Sequence, residues 1–71
     1  MNTEVIGYVV LAKRPDRHNQ DQYRYDTAGG VWPDMEPVEN HQAYSQMAAE
    51  ADPNRYGDVE YVIAALTEVA L

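Results

Sequence analysis

The first apolar run is Glu4-Val5-Ile6-Gly7-Tyr8-Val9-Val10-Leu11-Ala12. It is β-branched and aromatic, which predicts a strand. Side chains alternate along a strand, so Ile6, Tyr8 and Val10 face one way and Val5, Val9 and Leu11 the other. Both faces are apolar, which predicts a central strand covered on both sides. Lys13 to Gln22 is polar and holds Pro15, so it reads as a connection. Gln22-Tyr23-Arg24-Tyr25-Asp26 alternates weakly and predicts a short second strand, with Tyr23 and Tyr25 on one face. Thr27-Ala28-Gly29-Gly30 reads as a turn. Val31-Trp32 then extends the strand or closes an edge of the core before Pro33.

The period changes after Pro37, which suits the first turn of a helix because its missing N–H is not needed there. Glu36 and Glu39 place negative charge at the positive end of the helix dipole. Tyr44, Met47, Ala48 and Ala51 recur at i, i+3, i+4 and i+7, which predicts that they form the buried stripe. Gln42, Gln46 and Glu50 lie elsewhere on the helix. Asp52-Pro53 ends it, since the residue before proline is pushed out of the helical region. Asn54 to Asp58 reads as a turn around Gly57. Val59 to Val69 reads as a closing strand, with a helix left open as the alternative by its Ala-rich middle.

These elements predict an α+β domain: an antiparallel sheet of three strands in the order 2-1-3, with one helix packed on one face. One helix covers one sheet face, yet the first and last strands are apolar on both. The uncovered face is therefore expected to pack against another copy of the chain.

Composition sharpens that expectation. The 71 residues are 45% hydrophobic, but there is no Phe. Ala, Val and Tyr carry most of the apolar content. Alanine buries little area, and burial drives folding at roughly 25 cal/mol per Å². A chain this small commonly has only about 3–5 kcal/mol of stability without staples. There is no cysteine to supply a disulfide, a thiol nucleophile or a zinc ligand. Self-association is the staple that remains. No apolar run approaches about 18 residues, so no membrane span is expected. The start Met1-Asn2-Thr3-Glu4 lacks a basic region followed by an apolar core, so a cytoplasmic protein is expected.

The net charge is −7, from 12 acidic and 5 basic residues, and it is unevenly placed. Residues 1–33 are balanced: Glu4, Asp16, Asp21 and Asp26 against Lys13, Arg14, Arg17 and Arg24. Residues 34–71 hold eight acids against Arg55 alone and carry the whole −7. One function for that half is solubility. The sharper one is an acidic helix face, Glu36, Glu39, Glu50 and Asp52, that docks on a basic protein surface. Direct binding of nucleic acid is disfavoured by the same charge. The basic cluster Lys13-Arg14-Pro15-Asp16-Arg17-His18 offers an alternative. With Arg24 and Trp32, Arg14 and Arg17 could contact an anion or a nucleotide at a site between subunits.

Catalytic and metal chemistry find little footing. Asp16, His18 and Asp21 match no calcium-loop spacing. A second histidine one turn after His41 would fall at position 45, which is Ser45. No nucleophile elbow, phosphate loop or dinucleotide motif is present. No metal, cofactor or enzymatic activity is expected.

The first strand, Gly30-Val31-Trp32, the short Ala-rich helix and the closing Tyr61-Val62-Ile63 with Leu66 together resemble small accessory proteins of phages and mobile elements of high-GC bacteria. The likeness spans most of residues 5–69. It implies a non-enzymatic protein that binds a host component and modulates it, and it transfers no functional residues.

Overall fold

A computed structural model describes residues 4–19 and 21–69. Met1–Thr3, read above for a leader, Gln20 in the first connection, Ala70 and Leu71 lie outside the described residues. The elements run β1 (Val5–Pro15), β2 (Tyr23–Thr27), α1 (Met35–Ala51), α2 (Pro53–Tyr56) and β3 (Glu60–Thr67). β1 is central in an antiparallel sheet ordered β2-β1-β3. The α+β architecture and the strand order are those the sequence predicts, and the closing segment is a strand.

β1 is longer than its apolar run. Lys13, Arg14 and Pro15 continue it, paired with Tyr25, Arg24 and Tyr23. The polar residues that read as loop are thus a strand end, held by hairpin pairing rather than by burial. The connection is shorter, and local hydrogen bonds shape it. Asp16 N–H donates to the Gln22 carbonyl at 3.0 Å. The Asp16 carboxylate accepts from His18 N–H at 2.9 Å and the Asn19 side chain from Asp21 N–H at 3.2 Å.

Past Thr27 the chain runs on beside β1. Ala28 N–H donates to the Val10 carbonyl at 2.9 Å, and Trp32 exchanges two bonds with Tyr8 at 2.7 and 2.8 Å. Trp32 therefore extends the β2 side of the sheet as an isolated bridge. Glycine is needed at two places here. A Cβ on Gly7 would stand 2.7 Å from Val31 Cγ1 and 3.2 Å from the Trp32 carbonyl oxygen. Gly29 has φ 107°, a left-handed conformation that other residues avoid.

Helix α1 packs on one sheet face. Val10 and Ala12 of β1, Tyr61 of β3, and Val38 and Ala49 of α1 form the core, with Tyr8, Trp32 and Ile63 against it. Val10 and Val38 are fully buried. The helix begins two residues before Pro37, with Asp34 as its extended N-cap. It ends at Asp52, whose carboxylate caps α2 by accepting from Arg55 N–H at 3.3 Å.

The helix is rotated relative to the stripe that hydropathy predicts. Tyr44 is 74% exposed, Met47 is 68% exposed and Ala51 is also exposed; Ala48 alone of that stripe is half-buried. Toward the sheet stand Val38, His41, Gln42, Ser45 and Ala49, at i, i+3, i+4, i+7 and i+11. Neighbouring helical residues differ by about 100° in direction, so a shift of one position exchanges the two stripes. The rotation turns His41, Gln42 and Gln46 inward to bond backbone groups of the sheet's flanks, which is its physical reason.

Candidate protein-interaction surface

The inner side of α1 is polar for a structural purpose. β3 is an edge strand, and at Tyr61 its free backbone groups point outward beneath the helix. Gln46 Oε1 accepts from Tyr61 N–H at 2.8 Å, and Gln42 Nε2 donates to the Tyr61 carbonyl at 2.7 Å. One residue of the edge is thus closed by two glutamines a helical turn apart. On the other flank His41 Nε2 donates to the Ala28 carbonyl at 2.7 Å. Half-buried backbone groups cost free energy when unpaired, about 1–3 kcal/mol each, which favours this rotation. Ala49 lets the helix sit close to the sheet, and Val38 fills the remaining core.

The outer side is what that rotation leaves. Glu36, Asn40, Ala43, Tyr44, Met47 and Ala51 lie along it at i, i+4, i+7, i+8, i+11 and i+15, all exposed. Glu39 and Glu50 flank the strip on one side and are also exposed. The outer face therefore carries two large apolar side chains with acidic residues along one flank. Of the acids read from the sequence, Glu36, Glu39 and Glu50 share this helix, while Asp52 stands at its C-terminal end and is partly engaged in capping α2. The structure brings three of the four onto one helix, with Asp52 just past its end. Tyr44 and Met47 belong to the same surface, and hydropathy alone assigned them to the core. The signal for the correct rotation is Gln42 and Gln46, spaced like a pair of edge caps, with Val38 one turn before them.

The basic residues fall otherwise. Arg14 and Arg24 are opposite each other on β1 and β2. Both reach Asp26, at 3.8 and 3.3 Å. These side chains are substantially exposed, so the pairs contribute little stability. Arg17 lies in the exposed connection. Trp32 sits opposite Tyr8, six residues along β1 from Arg14, which is about 20 Å of strand. Within one chain the arginines and Trp32 do not assemble into a pocket. Trp32 instead packs at the sheet's edge with its ring 6.0 Å from that of His41. Its indole N–H is buried and meets no acceptor among the described residues.

Shallow, open depressions lie on the surface of the described residues. One, of about 250 Å³, is lined by Lys13, Pro15, Tyr23, Asp58, Val59 and Glu60. Another, of about 360 Å³, lies among Glu4, Val5, Ile6 and Glu68. Neither encloses a small molecule. Among the described residues no three His, Asp or Glu side chains converge as metal ligands. No helix among them is long and apolar enough to cross a membrane. No family model, curated protein or solved structure matches the chain.

Proposed function

We propose that this chain is a non-enzymatic protein-binding domain that docks a partner through the outer face of α1. One observation carries this reading: α1 turns Tyr44 and Met47 to solvent while burying polar groups against its own sheet. Aromatic residues and methionine are the types enriched at interface centres. Glu36, Glu39 and Glu50 beside them select a partner whose groove is apolar with a basic rim. The charge of residues 34–71 speeds encounter with such a surface and repels acidic ones. Binding to a host factor, the role implied by the resemblance to phage-type accessory proteins, is compatible with this surface.

A photo-crosslinking residue in place of Met47 tests the proposal in the native cell. The protein it captures is then purified and titrated with the unlabelled chain. Tyr44→Ala with Met47→Ala is expected to weaken that complex at least tenfold. Neutralising Glu36, Glu39, Glu50 and Asp52 together is expected to weaken it and to flatten its salt dependence. Unchanged affinity in both sets overturns the proposal.

A further inference from the structure

We infer that a second copy of this chain covers the open face of the sheet, sheet against sheet, in a two-fold dimer. The inference rests on that face and is independent of what α1 binds.

Pairing register places Val9, Leu11, Val62 and Leu66 on the side of the sheet away from α1, with Tyr25 of β2 beside them. Val31 reaches the same side, against Gly7. Tyr25 is 51% and Val31 63% exposed, Leu11, Val62 and Leu66 are half-buried, and Val9 at the centre is 6% exposed, so the open area is carried by the rim of the face. Among the described residues no helix or second sheet lies on this face, and the protein is a slab of two layers, 43 × 30 × 14 Å. Its radius of gyration is 13.9 Å, against about 11 Å for a compact chain of this length. It exposes 5715 Å², against about 4,450 Å² for a compact 8.0 kDa monomer. The surplus, roughly 1,250 Å² over the whole surface, is enough to accommodate the ~800 Å² that one partner contributes to a standard interface.

Charge selects the occupant. Within the strands, the only ionised side chains that register assigns to this face are Lys13 and its cross-strand neighbour Glu60. The face is neutral on a chain of charge −7. A nucleic acid or an anionic membrane would find one cation, and a basic protein one anion already beside a lysine. A second copy finds an apolar, neutral, self-complementary surface. Face-to-face packing also puts the two acidic helices on opposite outer sides, as far apart as the slabs allow. Pairing through the edge of β3 is less suited, because α1 already closes that edge at Tyr61 through Gln42 and Gln46.

Light scattering on the full chain at tens of micromolar gives the mass. A dimer of about 16 kDa, twice the 8.0 kDa chain, is expected. Tyr25→Lys with Val31→Lys changes two exposed positions and is expected to raise the dimer dissociation constant at least tenfold with an unaltered circular dichroism spectrum. Ala65→Pro tests the competing edge. Ala65 stands opposite Tyr8, whose backbone groups bond Trp32, so the Ala65 N–H points to the outer edge of β3. That variant is expected to remain dimeric. A monomeric native chain overturns the inference. So does a dimer that survives the double lysine variant, whether or not Ala65→Pro dissolves it.

Discussion

On the side of α1 that meets the sheet, Val38 and Ala49 share space with His41, Gln42 and Gln46, each bonded to backbone. On the opposite side, Tyr44 and Met47 stand in water among glutamates. The difference teaches that the free edge and turn of a thin sheet outweigh hydropathy in orienting the helix packed on it. A three-stranded sheet has two edges for one helix to protect. Closing backbone groups on both flanks uses three polar side chains, and the large apolar residues are left outside.

The sharpest way to break this comparison is to put the same change on both sides. Val38→Asp buries an unpaired charge and costs several kcal/mol, more than the ~3–5 kcal/mol such a chain commands. The variant is expected to be unfolded by circular dichroism at room temperature. Met47→Asp is expected to shift the urea midpoint little, by an equivalent of about 0.5 kcal/mol or less. Equal damage from both would mean that the helix has no distinct outer side.

Smaller changes refine it. Gln46→Ala leaves the Tyr61 N–H without its partner and is expected to cost about 1–2 kcal/mol in urea unfolding. Tyr44→Ala with Met47→Ala is expected to leave stability within about 0.5 kcal/mol, since neither residue is buried and alanine favours helix. The double variant should then lose partner binding without losing structure. Least of all is expected from small anions. A nucleotide held at 100 times its dissociation constant would add about 2.7 kcal/mol. With Arg14 and Arg24 sharing Asp26 and Trp32 distant, a thermal-shift panel of nucleotides is expected to show no such gain.

Much of the fold was legible in the chain. The two-faced apolar run at Val5–Ala12 predicted a central strand, Asp52-Pro53 marked the helix end, and the β-branched flanks of 59–69 predicted the strand that is found. Hydropathy missed the end of β1, because Lys13–Pro15 pair across a hairpin and bury little. It missed the helix rotation for a related reason. Backbone groups at the β3 edge are invisible in a residue pattern, and Gln42 and Gln46 reveal their role only once an edge lies beneath them. The acidic residues of the candidate surface were legible from charge arithmetic. Its apolar centre was not, because Tyr44 and Met47 fit the period of a buried stripe as well as that of an exposed one.

The chain has no cysteine, so a single introduced thiol reports on one side of α1 without background. The labelling rate of the M47C variant, set against that of the V38C variant, measures the helix rotation directly. The free M47C chain is expected to react at the rate of an unfolded peptide and to slow when the partner binds, while V38C reacts only through global opening. Rapid labelling at V38C with protection at M47C in the free chain would contradict the rotation, and with it the binding face proposed for α1.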